Sequence, residues 1–172
     1  HFWARQLMAL GHTVKLMAPQ FVKPYVKTNK NDASDAEGIC EAVSRPNMRF
    51  VPVKSAAQQA LLALHRARAG FVRARTAQGN QLRGLLAEFG FVIPQGQWRI
   101  EAALQPILED AENGLPAMSR ELFVRLFEHL RYLDAQAKQI EQQIRNWHQN
   151  DADSQRLAAI PGVHLTKPNG TF

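Results

Sequence analysis

Cysteine is almost absent: Cys40 stands alone among 172 residues. A single thiol excludes an intrachain disulfide and fits a reducing compartment. Inside a predicted helix and next to Ile39, it is expected to be buried packing rather than a reactive group. Long apolar runs are missing as well. No stretch reaches the roughly 20 residues that a membrane span needs, and none has the pattern of a signal peptide. The expectation is a cytoplasmic protein with no membrane partner. Metal-type histidine patterns are also missing. His1, His12, His65, His129, His148 and His164 never pair with Cys, Asp or Glu at a zinc-site spacing. Neither a Walker-type loop nor a dinucleotide fingerprint occurs.

Acidic residues are in deficit. Lys and Arg number 21 against 15 Asp and Glu, giving a net charge of +6 and a pI of about 9.9. The imbalance is local. Residues 1–100 hold 14 basic and 5 acidic side chains, net +9, whereas residues 101–172 hold 7 and 10, net −3. A basic first part favours a polyanionic partner. Hydrophobic residues make up 45% of the chain, enough for a buried core.

The stretch 27–37 carries the densest chemistry. Asp32 and Asp35 lie three apart among Lys23, Lys27 and Lys30. A helix starting near Asn31 puts both carboxylates on one face. Such a pair either sits in a capped first turn, where acidic groups suit the helix dipole, or holds a hard cation such as Mg²⁺. The lysines could steer a nucleic-acid strand toward that cation. Glu37 and Glu41 fall outside the pair's reach on the same helix.

The text Thr28-Asn-Lys-Asn-Asp-Ala-Ser-Asp-Ala-Glu37, followed by Ala42-Val-Ser-Arg-Pro46, resembles the signature of the DEDD insertion-sequence transposases (IS110 family, IS1111-like branch; bridge-RNA-guided recombinases). The flanks agree: His1-Phe-Trp-Ala-Arg5, Ala18-Pro-Gln-Phe-Val-Lys-Pro-Tyr-Val-Lys27, Arg49-Phe-Val-Pro-Val-Lys54 and Gln81-Leu-Arg-Gly-Leu-Leu-Ala-Glu-Phe-Gly90. The resemblance runs to about Gly162. It implies a RuvC-like, ribonuclease-H-type domain whose four acidic residues bind Mg²⁺ for DNA strand cleavage and transfer, with DNA and a guide RNA as partners. Asp32 and Asp35 match the last two of the four. The other two, and a C-terminal domain with a nucleophilic Ser, find no counterpart. The expectation is therefore a piece truncated at both ends, binding nucleic acid weakly and catalysing little alone.

Read in order, Phe2 to Leu10 predicts a helix ended by Gly11, and Thr13–Met17 a strand. Pro19 and Pro24 predict a loop. The Asp helix spans about Asp32–Val43, with Ile39, Ala42 and Val43 toward a sheet, and Pro46 stops it. Residues 49–53 read as a short, irregular or edge strand, since Pro52 cannot donate to a ladder. Ser55 is the expected cap of a long helix to about Phe89, apolar at Leu61, Leu64, Phe71, Leu82, Leu85 and Phe89. Its middle is basic. Arg66 and Arg73 nearly share one angular position, as do Arg68 and Arg75, because seven residues make almost two turns. With Arg83 they form either a solvated face or a phosphate-tracking surface. Gly79 marks a kink or a close helix contact. After a turn-rich connector at 90–96, Trp98–Glu112 reads as a helix interrupted or bent near Pro106.

The clearest period follows. Phe123, Leu126, Leu130, Leu133, Ala137, Ile140, Ile144 and Trp147 are spaced 3, 4, 3, 4, 3, 4 and 3. That heptad seam, 119–148, would run about 45 Å as a helix. It packs on residues 55–89 of the same chain, on a second copy to make a homo-oligomer, or on both in a four-helix arrangement. The fold expected is an α/β remnant of a RuvC-like domain (1–54), a helical coiled-coil region (55–150), and the start of a further domain with a disordered tail (151–172). The rival function is a non-catalytic coiled-coil adaptor, binding nucleic acid or dimerising, in which the Asp pair only caps a helix.

Overall fold

A computed structural model describes residues 1–26 and 31–165. The expectations for Lys27, Lys30 and the tail from 166 onward lie outside the described residues. The chain divides into two compact units, His1–Ala60 and Leu61–Phe172.

The first unit begins with α1 (Phe2–Ala9), which Gly11 leaves through a left-handed φ of 87°. Arg5 ties α1 down: its Nη1 donates to Lys54 O at 2.7 Å and to Gln59 Oε1 at 3.0 Å. Ala4 is the buried residue of α1, while Phe2, Trp3, Leu7, Met8 and Leu10 are exposed. The strands are shorter than the alternation suggested. β1 (Leu16–Met17) pairs antiparallel with β2 (Phe50–Val51), Leu16 opposite Val51 and Met17 opposite Phe50. Pro52 ends the second strand, since it brings no N–H to a ladder.

The proline loop is helical instead. Pro19 takes the first position of α2 (Pro19–Val22), and a 3₁₀ turn covers Lys23–Tyr25. A missing N–H is harmless at a helix start, where that donor has no intrahelical partner anyway.

α3 (Asp32–Ser44) starts at Asn31, whose Oδ1 accepts from Ser34 N at 2.7 Å. Arg45 leaves the helix at ψ 130°, as the residue before Pro46 is biased to do. The buried stripe of α3 is Gly38 and Ala42. Ile39 and Val43, expected to face a sheet, are exposed. The packing partner is the 3₁₀ turn: a Cβ on Gly38 would meet Val26 Cγ2 at 2.9 Å and Tyr25 C at 3.4 Å. Cys40 is exposed, against expectation. Two residues turn a helix by about 200°, which carries Cys40 away from the stripe through Gly38 and Ala42.

α4 (Ala56–Glu88) opens with a reciprocal cap. Gln58 N donates to Ser55 Oγ at 3.1 Å, and Ser55 N donates to Gln58 Oε1 at 3.0 Å. In the second unit α4 is joined by α5 (Gln97–Glu109), which continues through Pro106, by α6 (Ala117–Gln149) and by α7 (Ala152–Ala158). The core is Leu82, Leu86, Ile93, Ile100, Leu104, Leu115, Phe123 and Leu130. Gly79 is the close contact rather than a break: a Cβ there would sit 3.1 Å from Ile100 Cδ1 of α5.

α4 and α6 run antiparallel. Arg68 meets Glu141, Arg75 meets Asp134, Gln78 meets His129, and Phe89 stands edge-on to Phe123 at 5.9 Å. The heptad seam is buried by this chain itself: Phe123, Leu130, Leu133, Ala137 and Ile144 are covered, and Leu126, Ile140 and Trp147 half-covered. Of the two expected partners for the seam, residues 55–89 of the same chain are the one seen. Aligned apolar stripes on two helices of one chain meet at far higher effective concentration than two chains do.

The ion pairs across the two helices set a pH dependence. Burial works to raise the Asp134 pKa, but hydrogen bonds and charge from Lys138 and Arg75 outweigh it and hold the group below its ordinary value. Glu141 behaves likewise, with Arg145 and Arg68 outweighing burial. His65 is held low by burial and by the Arg68 charge. Groups with depressed folded pKa values release their protons more readily when folded, so stability falls as the pH drops. The loss begins below about 6.5, where an unfolded histidine protonates, and deepens below about 4.5 as the carboxylates follow. Urea unfolding at pH 7.5, 5.5 and 3.5 reads this. His65→Gln is expected to remove part of the first step and leave the second; equal losses between pH 7.5 and 5.5 in both proteins would contradict the assignment.

Candidate metal and nucleic-acid site

Both carboxylates of the Asp pair stand in the first turn of α3, and both residues are exposed. Neither is needed as the cap, because Asn31 fills that role. The two side chains lie about 60° apart around the axis, three residues being 300° of turn. Asp35 lines a cavity of about 490 Å³ with Lys15, Leu16, Met17, Val22, Lys23 and Ile39. Its lining is apolar apart from Lys15, Lys23 and Asp35. Lys23 lines the same cavity as Asp35. Lys15 was missed. Its signal was the alternation around residues 13–17, which puts it at the strand edge, and its Nζ stands 4.9 Å from the Phe50 ring centroid.

The donor types suit a hard cation, since carboxylate oxygens are what Mg²⁺ takes. Their number does not complete a shell. Among the described residues no cluster of three or more His, Cys, Asp or Glu side chains could hold a metal. Asp32 and Asp35 are at most part of a ligand set.

The arginines of α4 separate into two groups. Arg68 donates from Nε and Nη2 to Glu141 Oε2 at 3.1 and 2.8 Å, and Arg75 Nη1 lies 2.5 Å from Asp134 Oδ1. These two guanidiniums are largely buried and serve the helix pairing, so the expected phosphate-tracking row loses them. Arg66 and Arg73, two positions away and so on the opposite side of α4, are exposed. Arg83 is half-buried, its Nη2 donating to Asn80 Oδ1.

The family model of the DEDD insertion-sequence class, described as a transposase, matches residues 3–91. This span includes α3 and the basic helix, and more than half of the chain. The chain belongs to the DEDD transposase family. Among its relatives, a probable family 20 transposase of Pseudomonas aeruginosa is 51% identical over 95% of this chain and 48% of its own length. A putative transposase of Sinorhizobium fredii, y4pF/y4sB, is 49% identical over 95% of this chain and 42% of its own. The transposase for insertion sequence element IS1111A of Coxiella burnetii is 39% identical over 94% and 44%. This transposase-family chain thus spans about half the length of the curated relatives it matches. No solved structure matches it. No helix among the described residues is long and apolar enough to cross a membrane.

Proposed function

We propose that this chain supplies part of the catalytic and nucleic-acid-handling surface of an insertion-sequence transposase. In this reading Asp32 and Asp35 are two of the carboxylates that hold Mg²⁺, and the substrate is DNA. The observation that carries it is the first turn of α3. Asn31 does the capping, which leaves two exposed carboxylates one turn apart, and Asp35 shares a cavity with Lys15 and Lys23. When bound, Mg²⁺ ions would stabilise charge on the phosphodiester oxygens. The chain's own residues would orient the strand: Lys15 and Lys23 by attracting phosphates, Asp32 and Asp35 by fixing the cation. Guide RNA and DNA would both be held through phosphates, the component of recognition that does not read sequence.

Mn²⁺ tests the cation. Added in small amounts, it is expected to broaden the amide signals of residues 31–36 selectively, and Asp32→Asn with Asp35→Asn to abolish the effect. Broadening that is uniform, or unchanged in the double variant, would overturn the metal assignment.

Salt tests the polyanion. The logarithm of affinity for duplex DNA should fall linearly with the logarithm of salt concentration, by about 0.9 per phosphate neutralised. Arg66→Gln with Arg73→Gln is expected to flatten that slope by about 2. An unchanged slope would remove the α4 face from the interface.

A further inference from the structure

Two arginines and two aromatic rings line a cavity of about 260 Å³ in the first unit, apart from the residues of the Asp pair. One wall is α2 with the 3₁₀ turn after it, and it brings Gln20, Phe21 and Tyr25. The other is the turn that follows α3, and it brings Arg45, Asn47 and Arg49. Both walls are held locally. Phe21 N donates to Ala18 O at 2.9 Å, and Val26 N to Lys23 O at 3.2 Å. Met48 N donates to Arg45 O at 3.2 Å, which closes a four-residue turn with Pro46 in its second position. The fixed φ of proline suits that position. α3 joins the walls: its Gly38 packs on Tyr25 and Val26, and Arg45 follows its last turn.

The lining combines rings, amides and cations, and no carboxylate lines it. Phe21 is exposed rather than spent on the core. Tyr25 carries the Arg45 guanidinium 5.4 Å from its ring centroid. Aromatic rings and guanidinium planes are the surfaces on which unpaired bases stack. The side-chain amides of Gln20 and Asn47 each offer two N–H donors and one oxygen acceptor to the edge of a base. Arg45 Nη2 lies 2.5 Å from Glu41 Oε1, which offsets its charge. Arg49 is exposed and supplies a cation for a phosphate. Of these six residues five are open to solvent and Tyr25 is half-buried, so a ligand reaches them without rearrangement. A duplex keeps the faces of its bases stacked inside. An unpaired nucleotide offers face, edge and phosphate together.

We propose that this cavity takes one unpaired nucleotide of a single-stranded nucleic acid, its base against Phe21 and the Arg45–Tyr25 pair and its phosphate on Arg49. The chemistry is shared by single-stranded DNA and single-stranded RNA. The ligand class rests on the nucleic-acid reading above. The residues do not: none belongs to the Asp pair or to the exposed arginines of α4.

The test uses the full chain with a short oligothymidylate, an oligouridylate of the same length, the DNA strand with its bases removed, and thymidine monophosphate. It follows the ring signals of Phe21 and Tyr25 by NMR, with strand affinity from fluorescence anisotropy in parallel. Saturable shifts of both rings are expected with the base-bearing strands and not with the abasic one. The strand that binds more tightly identifies the source, and either supports the pocket. Phe21→Leu is expected to weaken the base-bearing strand by at least about fivefold and to leave the abasic strand unchanged. Phe21→Tyr keeps a ring and should keep the affinity. Arg49→Gln should flatten the salt dependence by about 0.7, the value for one phosphate of a single strand. Strand binding that leaves both rings unmoved would overturn the pocket and keep the nucleic-acid reading. Ring shifts with thymidine monophosphate and no binding of any strand would keep the pocket for a free nucleotide and sink that reading. Silence with every probe would overturn the pocket. Equal losses for intact and abasic strands in Phe21→Leu would overturn the stacking role of Phe21.

Discussion

Phe123→Ala is expected to destabilise the second unit by about 3–5 kcal/mol, the range for removing a buried aromatic ring from a packed core. Phe123 is 1% exposed. It stands at the N-terminal end of α6, edge-on to Phe89, within the cluster built by Leu82, Leu86, Ile100, Leu104 and Leu130. Three helices contribute to that cluster, so a void there cannot be closed by moving one of them. The transfer loss and the cavity loss should therefore both appear. Urea unfolding followed by circular dichroism should show a lower midpoint with little change in slope. Val92→Ala is the control: at 82% exposure it should shift the midpoint hardly at all. Equal effects from the two substitutions would mean that the core is not where the packing places it.

Arg120→Met is expected to remove about 2–4 kcal/mol, a large effect for a residue that is not in the apolar core. Its guanidinium closes the end of α5. Nη1 donates to Ile107 O at 3.1 Å and Leu108 O at 2.8 Å, Nη2 to Asp110 O at 2.6 Å and Asn113 Oδ1 at 2.5 Å, and Nε to Leu115 O at 3.1 Å. The last carbonyls of a helix have no partner within it, and a cation there also suits the dipole. Methionine preserves the stem but leaves those carbonyls unpaired. Asn113 provides an internal comparison, since its Nδ2 donates to Ile107 O at 2.6 Å and its Oδ1 accepts from Leu115 N at 3.1 Å. Arg120→Met should speed amide exchange in the last turn of α5 and in residues 110–115, and leave α1 and α3 unchanged. Protection that is unaltered around Asp110 would refute the clamp.

The exposed side of α4 and the paired side follow from one fact that spacing could not supply. Seven-residue repeats grouped Arg66 with Arg73 and Arg68 with Arg75, and both groupings hold. Which group faces water was not in the spacing. It was decided by Glu141 and Asp134, more than 50 residues downstream.

Local chemistry was readable because it acts over a few residues. Asn31 and Ser34, Ser55 and Gln58, Gly11 after α1 and Pro46 after α3 set the ends of helices from within four residues of those ends. The heptad spacing of residues 123–147 fixed a long amphipathic helix, and the Asp pair fixed two carboxylates on one turn. The text around that pair also carried the family. Tertiary structure alone decided that α4 packs along the seam, which arginines are exposed and which are paired, that Cys40 is exposed, and that α3 leans on a 3₁₀ turn rather than a sheet. The reason is physical: caps and periods are short-range properties of a segment, whereas burial and charge pairing depend on whichever distant segment the fold brings alongside.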